Sequence, residues 1–226
     1  MSFHHLIKYG LSLPLHIAAA KTLSVVKKRS IGLWLEKVNA LKETYTELTT
    51  VSPDSLKRFI EKTHTSELLA ADNQKILTHE FNLLGSGWIN VDQDQDKANE
   101  GNLCSKGNYN RSKQIQTLIG PNYKPIDWHQ DFRSGYHWRP LNRSESIQYG
   151  HEPGVDIKVP WEMARLQHLP RMALAYSELS QQSYVDEFQN QTLDFMSSNP
   201  PGYGVNWVCT MDVAIRAANL ILAFDL

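Results

Sequence analysis

The residues best suited to chemistry lie in two runs. In residues 206–226, Asp212, Arg216 and Asn219 recur at i, i+4 and i+7, a narrow polar stripe on an otherwise apolar helix. Trp207, Met211, Ala214, Ile215, Ala218 and Leu222 form its apolar face, and Val213, Ala217, Leu220 and Ile221 leave little else polar. A helix apolar nearly all round is buried, and buried charge must be paired or face a wet cavity. Two compatible readings follow: an internal Asp212–Arg216 pair across adjacent turns, or a stripe lining a polar cleft. Residues 160–179 repeat the arrangement. Met163, Leu166, Pro170 and Ala173 mark a core face, while Trp161, Arg165, His168 and Met172 share another, with Glu162 one turn from Arg165. A tryptophan alone is usually core. Arg165 beside Trp161 shifts that reading, because the two together suit an anionic, ring-shaped ligand.

The elements that must position these residues follow from the rest of the chain. Pro160 starts a helix expected to run to Leu179, with a kink at Pro170. A second helix is expected from Tyr184 to Met196, closed by Asn199-Pro200-Pro201-Gly202, and a third from near Asn206 onward. Three helices with short connections define an all-α region. Upstream, residues 53–71 read as a helix, residues 76–90 as an extended segment with a turn at Gly85-Ser86-Gly87, and residues 91–115 as a solvated surface loop. The DQDQD run invites a calcium-loop reading, but the required glycine and the closing glutamate are missing. Residues 121–160 are rich in proline, glycine and aromatics without clear periodicity, a long ordered loop of the sort that carries function.

Composition excludes several classes. The net charge of −1 in 226 residues leaves no basic surplus for general nucleic-acid binding. The longest apolar stretch, residues 11–20, contains Pro14 and His16 and is too short for a membrane span. Cys104 and Cys209 make neither a disulfide framework nor a closed zinc site. The His4-His5 pair has no third ligand at metal spacing, and no P-loop, dinucleotide fingerprint, nucleophile elbow or zincin motif occurs. No cofactor and no metal site is expected. Residues 1–30 carry five cations and no acid, read either as a basic amphipathic helix or as a secretory signal ending at Ala18-Ala19-Ala20. His16 and the basic cluster 27–29 count against the signal. The last apolar run lacks a closing glycine, proline or cationic turn, so the chain is expected to be the front part of something longer.

Aromatics crowd the second half. Trp128, Tyr136, Trp138, Trp161, Tyr203 and Trp207 are interleaved with Asp127, His137, Arg165 and Asn206. Sugar clefts need flat apolar faces for pyranose rings and convergent polar groups for hydroxyls and carboxylates, although compactly packed loops also produce aromatic density.

Five segments, in order, carry a resemblance: Phe81-Asn82-Leu83-Leu84-Gly85, Ile126-Asp127-Trp128, Gly135-Tyr136-His137-Trp138, the run 156–167 (DIKVPWEMARLQ) and Asn199-Pro200-Pro201-Gly202. Asn206-Trp207, followed by Met211-Asp212-Val213-Ala214-Ile215-Arg216, continues it. From about residue 75 onward the sequence resembles the N-terminal domain of the heparinase II/III family. The resemblance implies an incomplete (α/α) toroid of helix pairs, here residues 51–226 after a basic helical lead-in over 1–50. In full-length members a β-sandwich follows, and it is absent here. It also implies polysaccharide lyase chemistry, in which a base removes the C5 proton of a uronic acid and the 4-linked sugar leaves by β-elimination. The family's carboxylate neutraliser, catalytic tyrosine and further histidine have no counterparts in 1–226, so no catalytic residue is assigned. Trp161, Glu162, Arg165, Asn206, Trp207, Asp212, Arg216 and His137 are carried over as residues that line or shape the substrate cleft. Asp212 stands where the family more often has glutamate. The implied partner is an acidic polysaccharide, with a periplasmic or extracellular location; binding without cleavage is the alternative.

Overall fold

The chain divides into two units, Met1–Leu41 and Lys42–Leu226. The computed structural model describes residue 55, residues 66–93 and residues 106–226, all within the second. The signal or amphipathic-helix reading, His4-His5, most of the helix expected at 53–71, most of the DQDQD run and Cys104 lie outside the described residues.

What is described is mainly helical. Helix α1 (Ser66–Leu77) leads into a hairpin of β1 (Glu80–Asn82) and β2 (Trp88–Asn90), with Phe81 opposite Ile89. Helix α2 spans Lys106–Gln116, α3 Lys158–Ala164, α4 His168–Leu179, α5 Gln182–Ser198 and α6 Thr210–Asp225. Helix α5 packs against α2 and α4, and α4 also contacts α1 and α6. One apolar core, including Ile76, Val91, Trp128, Val159, Leu166, Leu169, Met172 and Phe195, runs through these layers. A smaller cluster gathers Trp138, Ile147, Ile157 and Val205 beneath the long loop.

The expected extended segment and turn are present as the hairpin. The solvated loop expected at 91–115 is corrected in its second half, where α2 forms. Its sequence, KGNYNRSKQIQ, has no apolar periodicity to show a helix. It is held through small polar side chains, with Ser112 buried and donating to the carbonyl of Ser197 on α5.

The single kinked helix expected at 160–179 is two helices. The chain breaks between Ala164 and His168, where Leu166 takes φ +57° while fully buried. Pro160 and Pro170 each occupy the third position of their helix, where a missing N–H costs nothing. Pro170 therefore starts α4 instead of kinking a longer helix. The face shared by Trp161, Arg165, His168 and Met172 is divided accordingly: His168 and Met172 are core, while Trp161 and Arg165 stay half-exposed.

The last helix is also corrected. Trp207 belongs to a preceding 3-10 turn, Val205–Trp207, and α6 starts only at Thr210. Its orientation inverts the apolar-face reading. Asp212 and Arg216 are 2% and 3% exposed, whereas Met211 and Phe224 are 58% and 69% exposed.

Between α2 and α3, more than forty residues contain only one 3-10 turn (Ser144–Ser146). Asp194 of α5 orders the start of this loop by accepting from Tyr123 Oη, Ile126 N and Trp128 Nε1 at 2.9–3.0 Å. Asp131, fully buried, folds the next stretch by accepting from Arg133 N, Ser134 Oγ and Asp156 N.

A left-handed φ costs a residue with a Cβ about 1 kcal/mol, and truncating a buried leucine to alanine costs about 3 kcal/mol. Leu166→Ala should lose roughly that larger amount in urea unfolding. Leu166→Gly, which removes still more side chain, should be no less stable than Leu166→Ala, because it relieves the backbone.

Candidate functional site

Helix α3, the 3-10 turn and α6 bring together every residue carried over as cleft-lining except His137. Trp161 Nε1 donates to the Val205 carbonyl at 2.9 Å. Arg165 pairs with Glu162 one turn earlier and, through Nε, with Asp212 Oδ1 of α6 at 2.6 Å. Asn219 Nδ2 donates to the Arg165 carbonyl. Asp212 thus hydrogen-bonds Arg165 across the helix interface, while its charge still favours the protonated form of Arg216.

Arg216 lies between two rings, with its guanidinium carbon 4.6 Å from the Phe195 centroid and 4.7 Å from that of Trp207. Its Nη2 donates to the Asn206 carbonyl at 2.8 Å. Burial lowers its pKa to about 10, against the opposing pull of Asp212, so it remains cationic at neutral pH. Burial also works against Arg165, but Asp212 and Glu162 outweigh it and raise its pKa. Asn206 Nδ2 holds both the Trp128 carbonyl and Asn199 Oδ1 at 2.8 Å, and Trp207 Nε1 holds the Asn199 carbonyl. Asn206, Asp212 and Arg216 therefore form the inner wall of this cluster; Trp161, Glu162, Arg165 and Trp207 reach its half-exposed side. Exposed Tyr149 meets Trp161 edge-on at 6.0 Å. Glu162 also borders an open groove of about 510 Å³ whose wall includes Asp72, Trp88, Gln167 and Arg171.

His137 sits in a different place. Its Nε2 pairs with Asp127 Oδ1 at 3.1 Å, beside a cavity of about 420 Å³ that also meets Tyr123, His129, Asp194 and Ser198. Burial opposes ionisation of Asp127, yet His137 and the backbone N–H of His129 hold its pKa below the ordinary carboxylate range. Burial drives His129 down to about 4, so its imidazole is neutral. Its Nε2 lies 3.3 Å from the Ser198 carbonyl, which can only accept, so Nε2 carries the proton and Nδ1 is a bare lone pair. Gly204 is required beside this ring: its φ is +72°, and a Cβ there would approach His129 Cε1 to 2.6 Å. Asp194 is pushed up to about 6 by burial, against the three donors it accepts.

Sequence reasoning missed a third arrangement. Buried His79 is clamped between Asp92 on Nδ1 and Glu187 on Nε2, each at 2.6 Å, with Tyr123 edge-on at 5.1 Å and Lys124 reaching Asp92 at 3.7 Å. These residues lie 13 and 108 positions apart, so no local spacing reveals them. His129 and Asp194 were equally hidden, the first in a loop without period and the second on an amphipathic helix.

Among the described residues no group of three or more His, Cys, Asp or Glu side chains is arranged to hold a metal ion, and no helix is long and apolar enough to cross a membrane. The Cys209 thiol is free and half-buried. Comparison with protein-family models, with curated proteins and with solved structures returns no match.

Burial alone would lower the pKa of His79, but Glu187 and Asp92 raise it above 6.5. The imidazolium clamp therefore stabilises the fold fully below the unfolded value and loses that contribution as pH rises through the higher folded one. Thermal melts should show stability falling on the alkaline side of pH 6.5, and His79→Gln should flatten that dependence. A Gly204→Ala variant should lose at least about 2 kcal/mol, the combined effect of left-handed backbone and a sub-van der Waals contact with His129.

Proposed function

We propose that this chain is the substrate-cleft portion of a polysaccharide lyase acting on uronic-acid-containing glycans, as its resemblance to the heparinase II/III family implies. On this reading helices α4, α5 and α6 belong to an incomplete (α/α) toroid, and the protein works outside the cytoplasm, where such polymers occur. One observation carries the reading. The two segments in which the resemblance is most specific, 156–167 and 206–216, close on each other through the Arg165–Asp212 bond, with Trp161 also held by the carbonyl of Val205 just before the second segment. They leave Trp161, Glu162 and Arg165 at a half-exposed rim beside Tyr149.

The reaction expected of the parent enzyme is a β-elimination. A base takes the C5 proton of the uronate, the C4–O bond breaks, the departing oxygen gains a proton, and a C4=C5 double bond remains. Donors beside the uronate carboxylate stabilise the enolate-like charge. This chain's contribution is binding and orientation. Trp161 and Tyr149 offer ring faces, and Arg165 offers a guanidinium whose remaining N–H groups can meet a carboxylate.

The runner-up reading, acidic-glycan binding without cleavage, is favoured by a specific pairing. Glu162 and Asp212 are both ion-paired with Arg165, and the remaining oxygen of Asp212, Oδ2, is buried away from the half-exposed rim. Titration with hyaluronan, heparan sulfate and alginate tests the cleft that both readings share. Saturable binding to one polymer, weakened about tenfold by Tyr149→Ala with an unchanged melt, supports the cleft. An accompanying rise in ultraviolet absorbance from the unsaturated product would show lyase activity in this chain itself; binding without it is what both readings expect of a chain to which no catalytic residue is assigned. Failure to bind all three polymers overturns both.

A further inference from the structure

The cavity beside His137 has an electrostatic character opposite to that of the proposed acidic-glycan cleft. Among the described residues no lysine or arginine lines it, whereas Asp127 and Asp194 both do. Asp194 is already satisfied by three donors. Asp127 is not: it is 2% exposed, and its Oδ2 has no hydrogen-bond partner. His129 Nδ1, the bare lone pair, is also buried without one. The hydroxyls of Ser112, Ser197 and Ser198 are spent on backbone carbonyls. Two buried acceptors are left that lack a donor, an arrangement that costs about 1–3 kcal/mol for each group.

The remaining walls mix polar side chains, Gln93, Asn108 and Gln116, with flat, largely apolar ones. Tyr109, Tyr123 and Trp128 join Pro121, Pro125, Pro140 and Pro200 around the space. At about 420 Å³ the cavity falls within the size range of small-molecule sites.

We propose that this cavity is a binding site for a small organic cation, a ring-sized molecule bearing a primary ammonium, with Asp127 as its counter-ion. An ammonium supplies three donors and no acceptor, which matches the unpartnered oxygen of the Asp127 carboxylate. It also gains from aromatic walls. An anion would meet Asp127 and Asp194 with no cation from Lys or Arg to balance them, so a free uronate is rejected here. The site stands independently of the glycan-cleft reading, since it uses none of α3 or α6.

Calorimetric titration of the full chain at neutral pH with three pyranoses of one size tests it: glucosamine (cationic), glucose (neutral) and glucuronate (anionic). Glucosamine should bind saturably and at least about tenfold more tightly than the other two, the usual worth of one charge-assisted hydrogen bond. Asp127→Asn should remove that preference. Because this change also loosens the His137 pair, Leu141→Trp provides a second probe; it narrows the cavity without touching Asp127 and should abolish binding while keeping a cooperative melt. The proposal is overturned if glucosamine fails to saturate, if glucose binds as well, or if folded Leu141→Trp binds like the wild type.

Discussion

One buried carboxylate holds the long loop to the helices. Asp194 accepts a phenol, an indole and a backbone N–H from residues 123–128, all through Oδ2. An isolated carboxylate at that depth would be costly, and burial does lift its pKa to about 6. Three convergent donors offset much of the penalty and give the loop a fixed start on α5. The stretch that follows, from Asp127 to Asp131, inherits its position from that anchor. A loop of more than forty residues can thus be ordered without its own secondary structure, provided its backbone groups find partners.

The second organising constraint is the inward polar stripe of α6. Burying Met211 and Phe224 instead of Asp212 and Arg216 would have gained more apolar area. The observed orientation is set by groups that only a buried cation satisfies: the Asn206 carbonyl and the faces of Phe195 and Trp207. A planar, weakly hydrated guanidinium fits between two rings as an ammonium does not. Much of the cluster's positive charge is consequently balanced from within. Recognition of an acidic ligand then falls to the half-exposed Arg165, in competition with Glu162 and Asp212.

These constraints also explain what was legible in the sequence. The hairpin was readable because Gly85 and Gly87 punctuate an apolar run, and α5 because its apolar period ends at Asn199-Pro200-Pro201-Gly202. The polar stripe of α6 was readable as a stripe, but its direction was not. Amphipathic reasoning assigns the apolar side to the core, and here specific hydrogen bonds and ring stacking outrank area. The break at Leu166 was invisible because a buried leucine, not a glycine, adopts the left-handed turn. Helix α2 was hidden for the opposite reason: its buried contacts are Asn108 and Ser112, residues that pattern reading assigns to solvent. The Asp127–His137 pair spans ten residues of aperiodic loop and the His79 clamp spans three elements, so neither leaves a spacing to detect.

Asn206 joins the two polar regions. Its side-chain amide donates to the Trp128 carbonyl, between Asp127 and His129, while its main-chain carbonyl accepts from Arg216. The cation cluster of α6 and the acidic cavity of the loop thus share one residue placed between opposite charges. The rim at Arg165 faces solvent in a cluster whose two cations are matched by Glu162 and Asp212, and the cavity at Asp127 keeps its unpartnered oxygen. Asparagine suits that position because its Nδ2 donates to two oxygens, the Trp128 carbonyl and Asn199 Oδ1, without adding charge. An aspartate or a leucine there would lose the donor to Trp128 and to Asn199 Oδ1, whereas Arg216 would keep its main-chain acceptor. The link between the two regions therefore rests on one uncharged residue.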